Sequence, residues 1–171
     1  DKLILPGVGS FEKAMSNVNR LKIDKIIKDA IIKQKNILGI CLGMQILLTK
    51  SFEFGEHGGL DLIKGEVKNL KTFNKRIKTP HIGWNNILLN KIEKKNSIIN
   101  LFDGINHEEK FYFVHSYYCI NQDNKTFIAN TKYQDLTFSS VFKKETITAC
   151  QFHPEKSGVT GLRFFKNWIN A

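Results

Sequence analysis

The sequence predicts an α/β fold: a mostly parallel sheet flanked by helices and extended by antiparallel strands. Three observations predict it. The chain opens in strand, helix, strand, helix order, two of its apolar runs end in glycine-bearing turns, and from Gly65 onward short β-type runs replace that alternation. With 171 residues, 42% of them hydrophobic and 25% charged, it is one domain's worth of chain with enough apolar side chains to bury a core.

Leu3-Ile4-Leu5 reads as a short buried strand, stopped by Pro6-Gly7-Val8-Gly9, a loop whose backbone can approach a neighbour closely. A helix follows, capped by Asp24, with Ile26, Ile27, Ala30 and Ile31 at three- and four-residue spacing and Lys25, Lys28 and Lys33 toward solvent; Asn36 ends it. Residues 36–40 form the next buried strand, and residues 42–50 are helix-compatible. Beyond Gly65, β-type runs at 66–70, 86–89, 111–114, 127–129, 140–142 and 147–149 are separated by Asn, Lys and Gly. A closing helix is expected over 158–168, and the chain carries no internal repeat or low-complexity tract.

Several function classes are disfavoured. The longest apolar stretch, 37–48, is broken by two glycines and Gln45 and falls short of the roughly 20 residues that span a bilayer, so no membrane partner is expected. The opening residues lack the pattern of a signal peptide and the chain lacks an initiator Met, so it reads as entered partway through a fold. Cys41, Cys119 and Cys150 show neither CxxC nor Cys/His spacing, which argues against a disulfide framework or a zinc site and for a reduced, cytoplasmic setting. The formal charge of +10 comes almost wholly from scattered Lys, with only Arg20, Arg76 and Arg163 beside it. In a chain also rich in Asn and Ile, that charge reads as composition bias with a possible partner-facing surface, and no nucleic-acid motif accompanies it.

Two local patterns carry chemistry. Gly39-Ile40-Cys41-Leu42-Gly43 has Gly-x-nucleophile-x-Gly spacing at a strand-to-helix junction, where small residues allow a sharp turn that exposes the middle side chain. At a helix N-terminus the Cys41 thiol is expected to ionise more easily, and the Leu42 amide to face an oxyanion. Taken alone, Cys41 could equally be a small buried hydrophobe. In Gln151-Phe152-His153-Pro154-Glu155, Pro154 biases His153 toward an extended backbone, which sets the imidazole and the Glu155 carboxylate on one side. A carboxylate beside an imidazole fixes its tautomer, the logic of a nucleophile, base and orienter. Of the other histidines, His81 and His115 read as structural or as lining a binding surface, and His57 and His107 as solvated loop residues.

In this order, Pro6-Gly7-Val8-Gly9, Gly39-Ile40-Cys41-Leu42-Gly43-Met44-Gln45 and Phe152-His153-Pro154-Glu155 resemble the class I (triad) glutamine amidotransferases. Within that family, the residues 80–85, 112–117 and 153–158 look most like the glutaminase subunits of imidazole glycerol phosphate synthases, and the likeness runs from first residue to last. The resemblance implies a flavodoxin-like sheet and hydrolysis of L-glutamine to glutamate and ammonia. It implies that the ammonia is channelled to a (β/α)-barrel cyclase subunit in a heterodimer serving histidine biosynthesis.

By the same resemblance Cys41, His153 and Glu155 form the triad, and backbone amides of Val8, Gly9 and Leu42 hold the oxyanion. Gly7, Gln45, Ser116 and Tyr117 surround the substrate, and His81, Trp84, Tyr112 and Lys156 lie toward the synthase. Without the resemblance, Trp84, Tyr112 and Tyr117 read as core aromatics, and Gln45 and Lys156 as surface side chains. Neither a metal nor an organic cofactor is implied, since a thiolate hydrolyses glutamine unaided. One departure is that the family's first strand, helix and second strand have no counterpart before Pro6, so residues 1–171 are expected to be a single amidotransferase domain lacking that start. Rival readings are a paralogous amidotransferase serving another synthase, such as one that modifies a surface sugar, a free-standing cysteine hydrolase, and a catalytically idle interaction subunit.

Overall fold

Residues 1–89 and 98–171 are described by a computed structural model. In chain order the elements are β1 (Leu3–Leu5), α1 (Phe11–Arg20), α2 (Ile23–Ile32), β2 (Ile37–Ile40), α3 (Leu42–Ile46), β3 (Leu48–Ser51), β4 (His57–Gly58) and β5 (Ile63–Asn69). They continue with α4 (Leu70–Phe73), β6 (His81–Asn86), α5 (Ile98–Leu101), β7 (Lys110–His115), β8 (Tyr117–Asn121), β9 (Phe127–Tyr133), β10 (Leu136–Lys144) and β11 (Ile147–Cys150). A 3-10 turn, Pro154–Lys156, leads into α6 (Gly158–Asn170).

The strand that reaches the elbow sits between two parallel neighbours. β1 pairs with β2 through Leu3↔Ile37 to Leu5↔Gly39, and β11 pairs with its other edge through Ile147↔Ile37 to Cys150↔Ile40. That position buries all four β2 residues, which explains an unbroken apolar run in place of alternation. The main sheet runs β1-β2-β11-β10-β8-β5-β3-β4, with β9 also on β10. β3 and β5 are parallel, whereas the pairings of β10 with β8, β9 and β11, of β5 with β8 and of β3 with β4 are antiparallel. The antiparallel additions are therefore extensive. β6 and β7 form a separate hairpin sheet, from His81↔His115 to Asn86↔Lys110.

Neighbouring residues of a strand alternate between two hydrophobic clusters, one on each face of the sheet. Leu38, Val141, Cys150 and Tyr118 join Phe111, Phe113, Phe138, Phe152 and Phe164, while Ile37, Phe142, Ala149 and Cys119 join Phe11, Met15, Ile27 and Met44. Cys41 belongs to the first cluster and Leu42 to the second, so the elbow stands where the two cores meet.

Some local expectations change. Residues 11–20 form a helix that the sequence reading passes over, although Phe11, Met15 and Val18 recur at helical spacing and are its buried residues. Asp24 does not cap α2; it lies in the first turn of a helix that begins at Ile23 after Lys22 in the left-handed region, φ 56°. The helix expected over 42–50 stops at Ile46, because Leu48 to Ser51 pair with β5 and β4 and strand pairing overrides helix propensity. The strand expected over 86–89 lies at 81–86 instead, drawn there by β7, and Leu88 forms an isolated bridge to Asn130.

Candidate active site

Cys41 takes φ 51° and ψ −106°, outside the regions comfortable for a residue with a Cβ. Such a conformation costs about 1–3 kcal/mol and survives only where its surroundings impose it. Here the Cys41 N–H is bound to Cys150 O at 2.8 Å, and glycine permits the contacts on either side. A Cβ on Gly43 would lie 1.8 Å from the Leu5 carbonyl oxygen, and one on Gly7 would lie 2.8 Å from Leu42 Cβ. The absent side chains thus let β1 and the 7–9 loop press directly onto the start of α3, which brings Gly7, Val8 and Gly9 to the same cleft as Cys41.

The sulfur is 4.0 Å from Val114 O and receives the Gln151 Nε2–H at 3.5 Å. Contrary to the expectation from its place before a helix, the thiol is pushed up from 9.0 to about 11. Burial is the main cause, with the Glu155 charge adding to it; the Leu42 amide, the Gln151 amide and the Lys156 ammonium pull the other way and do not prevail. α3 has only five residues, so its dipole is small beside the desolvation. At rest the nucleophile candidate is a thiol.

His153 is extended, with φ −103° and ψ 93°, as the following Pro154 dictates. Its Nδ1 lies 2.6 Å from Glu155 Oε1. The ring is buried, and Nε2 has no partner among the described residues. The backbone is pinned at both polar groups: His153 N–H binds Tyr112 O at 2.8 Å, and the buried Ser157 hydroxyl donates to His153 O at 2.6 Å while accepting from Tyr112 N–H at 3.0 Å. A carboxylate accepting from Nδ1–H leaves the Nε2 lone pair available as a base.

A cleft of about 460 Å³ is lined by Gly7, Val8, Gly9, Cys41, Leu42, Gln45, Ser116, Tyr117, His153 and Lys156 from the expected set. Glu155 stands behind His153 rather than on the wall. Gln45 is buried, not a solvated side chain; its Nε2 spends both N–H groups on Tyr117 O at 3.3 Å and Gln151 Oε1 at 3.2 Å, and its Oε1 has no hydrogen bond among the described residues.

Two polar side chains at the site escaped the sequence reading. Glu53 lines the cleft and accepts the Phe11 N–H at 2.5 Å, and Gln151 bridges Gln45 to the sulfur; both contacts span more than 40 residues. The only available signal for Gln151 was its place two residues before His153.

Of the residues expected toward a synthase, Trp84 is 54% exposed and packs edge-on to half-buried Tyr112 at 5.8 Å, and Lys156 is exposed. His81 is not on the surface. It is 2% exposed, stacked between Phe113 at 4.8 Å and Tyr133 at 3.9 Å, and hydrogen-bonded to His115, so it makes no surface contact of its own. His107 is exposed as expected; His57 is half-buried in β4, with Nε2 out of solvent and without a partner among the described residues.

Solved structures share this fold. A putative GMP synthase subunit from Thermoplasma acidophilum superposes with a TM-score of 0.67 at 23% identity, over 99% of this chain and 71% of that one. PurLQS from Thermotoga maritima gives 0.65 at 19% identity, over 99% and 82%. Sequence carries the likeness beyond fold: residues 1–171 match the family model described as glutamine amidotransferase class-I, and the chain belongs to that family. Its curated relatives within it include imidazole glycerol phosphate synthase subunit HisH of Chlorobaculum tepidum, 42% identical over 168 residues, which span 98% of this chain and 80% of that protein. HisH of Sulfurimonas denitrificans is 43% identical over 170 residues (98% and 78%), and that of Aquifex aeolicus 40% over 168 (98% and 76%).

Proposed function

We propose that the protein is the glutaminase subunit of an imidazole glycerol phosphate synthase, releasing ammonia from L-glutamine for a cyclase subunit in histidine biosynthesis. The observation that carries this reading is one cleft lined by Cys41, by His153 and by the Gly7–Gly9 loop, in a chain about 40% identical to HisH subunits over nearly its whole length.

In this reading glutamine enters with its side-chain amide toward Cys41. Glu53, a carboxylate on the cleft wall, meets the α-ammonium, and Gln45, Ser116 and Tyr117 supply further polar groups. His153 Nε2 takes the thiol proton, and Glu155 supports the imidazolium through Nδ1–H. The sulfur attacks the amide carbon, and amides of Leu42 and of Val8 or Gly9 receive the oxyanion. His153 then protonates the leaving nitrogen, and ammonia departs. Water, deprotonated by Nε2, cleaves the γ-glutamyl thioester, which yields glutamate and restores the thiol.

With burial pushing the Cys41 thiol up to about 11, the isolated subunit is expected to hydrolyse glutamine slowly. The ammonia is passed to a (β/α)-barrel partner in a heterodimer, and the exposed Trp84 and Lys156 with Tyr112 suit a partner-facing rim. Binding there that reorganises the cleft is coupled to glutamine hydrolysis by linkage. The three unpaired cysteines fit a reducing cytoplasm. No helix among the described residues is long and apolar enough to cross a membrane.

The test is glutamine-dependent ammonia release by the protein mixed with its cyclase. Cys41→Ser is expected to lower it at least about 1,000-fold, as loss of a nucleophile does. Equal activity in the two proteins overturns the assignment.

A further inference from the structure

A buried run of amides and imidazoles leads from the Tyr117 carbonyl to the Cys41 sulfur, and its direction is set by that one backbone oxygen. The Tyr117 carbonyl has no proton to give, so both groups that touch it must donate: His115 Nδ1 at 2.8 Å and Gln45 Nε2 at 3.3 Å. On one side this makes His115 the Nδ1–H tautomer, whose Nε2 accepts from His81 Nδ1 at 3.0 Å. On the other side it orients the Gln45 amide, whose second N–H reaches Gln151 Oε1 at 3.2 Å. With Oε1 turned to Gln45, the Gln151 NH2 group is turned to Cys41 Sγ, 3.5 Å away. Reversing the Gln151 amide would set two NH2 groups against each other. Gln151 is fully buried, and its backbone N–H is fixed on Ser140 O at 2.8 Å.

We propose that Gln151 is a positioning residue for the nucleophile: it holds the Cys41 sulfur at the cleft and presents an N–H to it, in a direction imposed by the Tyr117 carbonyl through Gln45. The inference rests on the glutaminase reading of Cys41. Besides the amide of adjacent Leu42, the sulfur meets two groups from distant segments, and these divide the work between its two states. Val114 O, at 4.0 Å, can only accept, so it serves the S–H. The Gln151 amide donates, so it serves the sulfur once the proton has gone to His153. A hydrogen bond to a charged group is worth more than one to a neutral group, so losing this donor penalises the thiolate more than the thiol. Gln151 does not line the cleft, and Gln45 keeps its bond to the Tyr117 carbonyl without it, so its loss should slow the chemistry and leave glutamine binding nearly intact.

The test follows iodoacetamide alkylation of Cys41 against pH, with Cys41→Ser reporting the background from buried Cys119 and Cys150. Gln151→Met keeps the volume and removes the donor; its alkylation midpoint is expected about one pH unit or more above that of the unaltered protein. Gln151→Glu replaces the donor with a carboxylate and should move the midpoint at least as far. In complex with the cyclase, both variants should lose about tenfold or more in kcat with KM within about twofold. A residue that merely packs would lower the melting temperature and leave the midpoint where it was. An unchanged midpoint in either folded variant overturns the proposal. In the unaltered protein, the Gln151 side-chain amide resonance should titrate with the same midpoint as the alkylation, and a resonance indifferent to that titration overturns it also. Should Cys41→Ser keep full glutaminase activity, the functional reading falls while the alkylation result still decides the contact.

Discussion

Cys41 combines a backbone in an unfavourable region with a side chain buried as a thiol, and Gly43 makes the first of these possible. A Cβ at position 43 would strike a main-chain oxygen, which cannot swing aside as a side-chain tip can. Gly43→Ala is therefore expected to part β1 from α3 and to cost about 3 kcal/mol or more, read as a fall in the urea midpoint together with loss of glutaminase activity. Unchanged stability would contradict the contact. The elbow and the pair His153 and Glu155 were legible in the sequence because their geometry is local: a glycine on each side of Cys41, and a proline that keeps His153 extended. Gln151 and Glu53 were not, because their contacts join segments 110 and 42 residues apart that meet only once the sheet is assembled.

At the scale of elements, Glu53 does two jobs that can be separated. Ser10, at the N-cap position of α1, makes no side-chain cap bond, and the Glu53 carboxylate takes that role from outside the helix through the Phe11 N–H. Glu53→Ala removes cap and charge, and should lower stability by about 1 kcal/mol while raising the KM for glutamine about tenfold or more. Glu53→Gln keeps an acceptor for Phe11, so it should retain most of the stability and still show the raised KM. Thermal melts and steady-state kinetics on the pair distinguish the roles, and a KM unaffected in both would remove Glu53 from the substrate site. α1 itself went unread although its buried residues have helical spacing, since Ser16, Asn17 and Asn19 are weak helix formers crowded into its second half. β3, four residues of Leu-Thr-Lys-Ser, has no alternation to announce it; pairing on both edges makes it a strand.

For the molecule as a whole, the buried imidazoles tie stability to pH. Burial lowers His81 from 6.5 to about 4, and burial with His81 beside it lowers His115 to about 3. Both are neutral in the folded protein and charge readily in the unfolded chain. Their contribution is complete above about pH 6.5 and is lost as the pH falls through that value toward about 4 for His81 and about 3 for His115. Between pH 7 and 5 the unfolding free energy is expected to drop by on the order of 3 kcal/mol, before the carboxylates enter their own range. Urea unfolding at the two pH values measures this, and equal midpoints would contradict it. The α/β class was readable from the opening alternation and from the order of three short motifs. The way β10 serves β8, β9 and β11 at once was not, because register between distant strands leaves no local trace.

The protonated state of Cys41 also bears on chemical wear. Peroxides attack sulfur as the anion, climbing from sulfenic to irreversible sulfonic acid. A sulfur that is buried and protonated at rest offers oxidants little to react with. Resting protein is therefore expected to lose activity to peroxide more slowly than protein turning over glutamine.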